Sequence, residues 1–219
     1  MRYRIQFEKT DAMRFTGNLD LHSTLERTIR RANLPLAYSE GFNPRPKLVL
    51  ADALSLGITS ADEWLDCVMK IDTPAEDVLA ALQHAAPPGI LFRSATVIDD
   101  RAEKLPNLVH AARFEATLLD PAEGLEARVA DFLAQPEVLR EKTRKGRTRT
   151  YDLRALVFGL AVLPPDERGR QRVELHLSQG EGRTARPDDV LGALGLDPLR
   201  AILHRTAMEF RGEGESAAA

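Results

Sequence analysis

The side chains with binding chemistry concentrate in two stretches, and both point to anionic or aromatic ligands. The first runs over residues 14–47. It begins at Arg14 and passes Asp20. Arg27, Arg30 and Arg31 follow, spaced to share one side of a helix. The stretch ends in the proline-stiffened run Tyr38-Ser-Glu-Gly-Phe42-Asn43-Pro-Arg45-Pro-Lys47. Guanidinium groups beside aromatic faces suit phosphates and unstacked bases. A loop held by two prolines presents them at low entropic cost. The plainer alternative, a solvated helix back followed by a stiff edge strand, stays open.

The second stretch covers residues 140–154, with seven basic residues against two acidic ones. Lys142, Arg144, Lys145, Arg147, Arg149 and Arg154 can track a phosphate backbone, with an affinity that falls as salt rises. Thr143, Thr148 and Thr150 add hydroxyl donors between the charges. A mobile, solvated hairpin is the competing reading. The whole chain has a formal net charge of −3, so any nucleic-acid surface must be local.

No complete catalytic kit accompanies these stretches. His22, His84, His110, His176 and His204 are scattered, without the short spacings of a metal site. His22 follows Asp20 by two positions and is the one weak candidate for a general base, although a surface or capping histidine is the simpler reading. His204 reads as structural. The hydrolase elbow, the Walker phosphate loop and the dinucleotide fingerprint are missing. Gly180-Glu-Gly-Arg183 reads as a hairpin tip. Cys67 is the single cysteine, which excludes an internal disulfide and any all-cysteine metal centre on this chain. Its alternating surroundings predict a buried strand thiol.

The elements that must position these residues follow from periodicity. Residues 2–9 alternate as a strand, 20–33 read as a helix burying Leu21, Leu25, Ile29 and Ala32, and Asn18 or Asp20 is placed to cap it. A short apolar run over 47–53 and a strand over 64–71 follow. Pro74 opens a helix to residue 86, and 90–98 form a strand. The second half repeats the order: strand 112–119, helix 124–134, strands 151–163 and 172–178, helix 187–194 and strand 199–210. The reading is an α+β protein with tandem ferredoxin-like (βαββαβ) halves over 1–99 and 111–211, a linker at 100–110 and a disordered tail at 212–219. At 219 residues, 43% apolar, the chain can bury such cores. The N-terminus lacks a signal-peptide pattern and no segment is apolar for the length of a membrane helix, so a cytoplasmic protein without a membrane partner is expected.

Three blocks carry a resemblance: Arg14-Phe-Thr-Gly-Asn-Leu-Asp-Leu21, Arg27-x-x-Arg-Arg-Ala32, and Leu36-Ala-Tyr-Ser-Glu-Gly-Phe-Asn-Pro-Arg-Pro-Lys47. Leu54-Ser-Leu-Gly-Ile-Thr-Ser-x-x-Glu63 stands behind them. Together they resemble the radical SAM-linked (radical SAM-associated) family, a bacterial domain of unknown function found alone or fused to B12-binding-type radical S-adenosylmethionine proteins. The sequence departs from that pattern at Thr16-Gly17-Asn18, where a Ser-His pair commonly precedes Leu-Asp. The resemblance implies association with a radical S-adenosylmethionine enzyme; taken with the two basic stretches, the expectation is an accessory protein that binds RNA (tRNA or rRNA) or presents a substrate without catalysing a step. S-adenosylmethionine and the iron–sulfur cluster are then expected on the partner, with no cofactor on this chain. Two other readings remain: a metal-independent ribonuclease using His22 with Tyr38 or Lys47, and a protein–protein adaptor docking through Phe42.

Overall fold

The computed structural model describes residues 1–144, 146–180 and 183–212. The expected tail over 212–219 falls almost wholly outside them, as do Lys145 and the tip at 181–182. The fold is α+β, with strands and helices alternating along the chain. Two compact units divide it, Met1–Val109 with Phe210–Ala219 and His110–Glu209.

In the first unit β1 (Arg2–Lys9) leads to α1 (Asn18–Arg31), β2 (Leu48–Leu50), β3 (Ile58–Val68), α2 (Ala75–Ala85), β4 (Ile90–Ile98) and the single-turn α3 (Leu105–Leu108). The strands pair in the order β4-β1-β3-β2, every pair antiparallel. Tyr3, Ile5 and Phe7 alternate along β1 and are fully buried, forming a core with Leu21, Leu25 and Ile29 of α1 and Val78 and Leu82 of α2. Helix α1 begins at Asn18 behind Gly17 and has no side-chain cap, contrary to the expected Asn18 or Asp20 cap. Ala32, the C-cap residue, packs partly buried against this core, and Thr28 is buried as well, its hydroxyl turned to the Thr24 carbonyl (2.8 Å).

Strand β3 starts six residues before the expected Trp64. Its first half reads as polar because Thr59, Ser60 and Glu63 are buried polar side chains, which breaks the apolar alternation. Cys67 lies buried in β3, and burial, followed by the charge of Asp66, pushes its thiol up to about 12. It stays protonated and unreactive at neutral pH.

The residues 100–110, expected as a linker, carry α3 and the start of the next strand, and Leu105 is fully buried. Arg2 holds this segment in place. Its guanidinium donates to the carbonyls of Ala102 (2.7 Å) and Glu103 (3.0 Å) and also to Asp66 Oδ2 (2.6 Å).

In the second unit β5 (Val109–Leu118) is followed by α4 (Leu125–Ala134), β6 (Leu139–Arg144), β7 (Arg147–Asp152), β8 (Val157–Leu163), β9 (Arg172–Ser178), α5 (Pro187–Ala193) and β10 (Ala201–Phe210). The sheet order is β10-β5-β9-β8, while β6 and β7 form a separate two-stranded hairpin between α4 and β8. The single strand expected over 151–163 is broken by a short 3₁₀ turn at Arg154–Leu156. Arg154 shapes that turn by donating to the carbonyls of Leu133 (3.3 Å) and Val157 (3.0 Å). Phe114 of β5 and Val173, Leu175 and Leu177 of β9, at alternate strand positions, are buried, as are Leu125, Val129 and Phe132 of α4 and Val190 and Leu191 of α5. Among the described residues no helix is long and apolar enough to cross a membrane.

Candidate nucleic-acid interface

The hairpin β6–β7 is built by strict alternation. Its register places Arg140 opposite Tyr151, Lys142 opposite Arg149, and Thr143 opposite Thr148. Because successive strand residues point to opposite faces, Arg140, Lys142, Arg149 and Tyr151 share one face. Glu141, Thr143, Thr148, Thr150 and Asp152 share the other, where the two threonine hydroxyls meet at 2.9 Å. Arg144 and Arg147 are paired at the register position that continues the cationic face; their side chains lie outside the described residues. Like charges directly opposite each other destabilise a hairpin. The acidic Glu141 stands on the wrong face to relieve them.

The hairpin is anchored at its base. Val138 N–H donates to Asp152 Oδ1 (2.9 Å), and Leu153 N–H donates to the Val138 carbonyl (2.8 Å). Tyr151 donates its hydroxyl to Asp189 Oδ2 of α5 (3.0 Å). Burial, then that hydrogen bond, pushes the Tyr151 phenol up to about 12, so the phenol stays a donor. Arg154, expected among the phosphate-binding groups, is instead spent on the backbone carbonyls that close the adjoining turn.

The residues of the N-terminal stretch are divided in the same way. Arg14 donates through Nε to the Gly57 carbonyl (2.9 Å), and its guanidinium lies 5.4 Å from the ring centre of the exposed Phe15. Arg31 donates to the Ala85 carbonyl at the end of α2 through Nε (3.0 Å) and Nη2. Both are tied to structure. Arg27, Arg30 and Asp20 remain on the exposed side of α1. Tyr38 donates to Glu26 Oε1 (2.9 Å), and burial together with this bond raises its phenol above the ordinary range, while the nearby Arg30 charge opposes the rise.

The loop beyond Tyr38 is pinned at its neck. Tyr38 bridges Pro46, Ser39 N–H donates to the Arg45 carbonyl (2.8 Å), Arg45 N–H donates to Ser39 Oγ (2.9 Å), and Lys47 N–H donates to the Ala37 carbonyl (2.8 Å). Phe42 and Asn43 stand at the tip, and Phe42 is fully exposed. Lys47 reaches an 810 Å³ cavity that is also lined by Arg2, Asp66, Arg101 and Lys104. His22 is half-buried, its Nε2 3.3 Å from the Leu48 carbonyl.

Among the described residues no group of three or more His, Cys, Asp or Glu side chains is placed to hold a metal. Cys67 alone and buried does not fit an iron–sulfur cluster, which needs several accessible thiolates. The sequence alone places Arg140 in the basic stretch but gives no sign of Glu26. That Arg140 shares a face with Lys142 and Arg149 was findable, since 140, 142 and 144 and then 147, 149 and 151 keep a period of two. Glu26 leaves no such signal, because its bond to Tyr38 depends on how the loop folds back on α1.

The hairpin thus presents a one-sided cationic face on an α+β scaffold. The chain itself belongs to the family described as an uncharacterized protein conserved in bacteria (DUF2344), whose profile matches residues 2–187. A search of curated proteins gives no match. Among solved structures, a chain in the crystal structure of a Cbf5-Nop10-Gar1 complex is similar at a TM-score of 0.50 and 12% identity, over 94% of this chain and 48% of that one. A chain of the archaeal box H/ACA sRNP Nop10-Cbf5 complex is similar at a TM-score of 0.43 and 12% identity, over 93% and 46%. This chain therefore spans about half the length of those chains. At such identity the likeness is one of fold alone.

Proposed function

We propose that this protein binds single-stranded or looped RNA through the β6–β7 hairpin, as the RNA-holding accessory of a radical S-adenosylmethionine enzyme. The observation that carries the RNA half is the register of the hairpin, which sets Lys142 against Arg149 beside Arg140, with Glu141 and Asp152, the acidic residues of the hairpin strands, on the opposite face and Asp189 of α5 engaged by Tyr151 at the hairpin base. A phosphate backbone supplies the missing countercharge. In the first unit, the exposed tip at Phe42, with Arg45 and Lys47 on the same pinned loop, offers by itself a ring on which a base can stack.

The partner half rests on the sequence resemblance to radical SAM-linked proteins. In it, S-adenosylmethionine and the cluster belong to the other chain, in keeping with the single buried Cys67 here. We further assign both units to the ferredoxin-like class: the order β4-β1-β3-β2 and its counterpart β10-β5-β9-β8 are the split βαβ arrangement, with the hairpin inserted in the second. The ribonuclease reading has no comparable support, since His22 lies against a backbone carbonyl.

Binding of a fluorescent single-stranded RNA across a salt series tests the reading. The wild-type protein is expected to show a steep fall of log affinity with log salt. Replacing Lys142 and Arg149 together by alanine is expected to flatten that slope by about 1.4, at about 0.7 for each phosphate released. An unchanged slope removes the hairpin from the interface. Nuclease-resistant co-purification with the radical enzyme, without RNA affinity at low salt, would replace RNA binding by the adaptor reading.

A further inference from the structure

The second unit carries a ring cluster that neither basic stretch includes. The His110 ring stacks on Phe158 with centroids 5.4 Å apart and planes 26° apart, and His176 meets the same phenyl ring edge-on at 5.3 Å and 72°. Three strands contribute one ring each: β5, β8 and β9. The β8–β9 register shifts between Val157 and Gly159, so Phe158 is the extra residue of a β-bulge. A bulge re-aims the side chain it carries, and here that side chain is set between two imidazoles with 45% of its surface in water.

A frame of polar groups borders the rings. His176 lies opposite Arg113 in the β5–β9 register. Its Nε2 is 3.0 Å from Glu209 Oε2, and Arg113 donates to Glu209 Oε1 (2.9 Å) and to Glu174 Oε1 (2.7 Å). Burial raises the Glu209 carboxyl, but the bonds from His176 and Arg113 outweigh it and hold the group below its ordinary range. Glu209 is therefore an acceptor at neutral pH. The Arg113 guanidinium keeps 41% of its side chain exposed.

Two carboxylates face one guanidinium and one histidine, so the frame offers no net positive field for a phosphate. What it offers is aromatic surface bordered by donors and acceptors. That combination matches a nucleobase: its face stacks on a ring, its carbonyl or ring nitrogen takes a guanidinium donor, and its exocyclic amine donates to a carboxylate.

We propose that the His110–Phe158–His176 cluster, with Arg113, Glu174 and Glu209 at its border, is a binding site for one unpaired nucleobase. It shares a ligand class with the RNA reading but uses none of the hairpin or Phe42-loop residues, and it stands or falls separately.

The test uses free nucleosides, which carry no phosphate for the hairpin to hold. The full-length protein with ¹³C-labelled His and Phe is titrated with adenosine, guanosine, cytidine and uridine while the ring signals are followed by NMR. Saturable shifts of the His110, Phe158 and His176 signals are expected at millimolar nucleoside. They should weaken about 5- to 100-fold in Phe158→Leu, which keeps the apolar surface and removes the π-face. The shifts should persist in the Lys142→Ala/Arg149→Ala variant. Phe158→Leu should melt with the wild-type protein, and Arg113→Gln provides a second variant, expected to change which nucleoside binds best. Rings that no nucleoside moves, or that move equally in Phe158→Leu, would overturn the site even if RNA binds through the hairpin. Moving rings in a protein that fails to bind polymeric RNA would uphold this site and overturn the RNA reading.

Discussion

Replacing Asp66 by alanine is expected to destabilise the first unit by about 3 kcal/mol, read as a lower urea midpoint at an unchanged slope. Asp66 is 2% exposed near the C-terminal end of β3. Arg2 Nη2 donates to its Oδ2 (2.6 Å), and Arg4 donates through Nε (2.9 Å) and Nη2 (3.1 Å). Without the carboxylate, two guanidiniums remain beside each other with 11% and 20% of their side chains exposed. Removing one partner of a buried pair costs about 3–5 kcal/mol because the other charge stays behind. The low end applies here, since Arg4 keeps a fifth of its side chain in water.

The damage should spread beyond β3, because Arg2 also ties down the carbonyls of Ala102 and Glu103. Trp64 is the only tryptophan and sits two residues away in the same strand, so its fluorescence reports this transition. The exposed pair Arg186–Asp188 is the natural comparison. Asp188→Ala should cost no more than about 1 kcal/mol. A loss at Asp66 as small as that would mean the pair is solvated in solution.

Gly89→Ala is expected to cost about 3 kcal/mol by the same Trp64 readout, through two causes that act together. Gly89 ends the Pro87-Pro88-Gly89 turn at φ +94°, where an L side chain is strained. A Cβ there would also lie 2.6 Å from Met13 Cγ, 2.8 Å from Met13 N and 3.1 Å from Ala12 Cβ. The Met13 side chain can swing away, but its backbone nitrogen cannot. That nitrogen belongs to a 3₁₀ turn at Asp11–Met13, which is joined to Gly89 through the Thr10 N–H bond to the Gly89 carbonyl (2.9 Å). Gly57→Ala separates the two causes. Gly57 also has positive φ (+85°), but no atom lies within 4 Å of its would-be Cβ, so only strain of about 1 kcal/mol is expected. Equal losses at the two positions would show that contact with Met13 is relieved without cost.

What the sequence displays depends on whether burial and polarity agree. Strands β1 and β4 and helix α2 were legible because Tyr3, Ile5 and Phe7 inside β1, Ile90 and Phe92 of β4, and Val78 and Leu82 of α2 are apolar and buried at regular spacing, and Pro74 marks a start. The first half of β3 was hidden because Thr59, Ser60 and Glu63 are polar and buried. Segment 100–110 reads as a linker by its charge and proline, yet it is docked by Arg2, a residue about one hundred positions away. The candidate interface shows the same division. The period-two spacing of cations was visible in the hairpin, but Arg14, Arg31 and Arg154 look like free charges in sequence and are engaged by carbonyls of Gly57, Ala85, Leu133 and Val157. No pattern along the chain forecasts a long-range side-chain bond to a backbone oxygen. The Phe158 ring cluster was hidden for a related reason, since a bulge offsets the alternation that would have assigned the ring to a face.

The hairpin leaves and rejoins the second unit at nearly one point: Val138 and Leu153 are already hydrogen-bonded neighbours across its base. An insertion closed in this way behaves like a cartridge. Its length, charge count and tip sequence can drift, or be exchanged wholesale, while the strands on either side keep their register. Members of the family could thus share one scaffold and differ in the ligand they hold, with the variation confined to about a dozen residues.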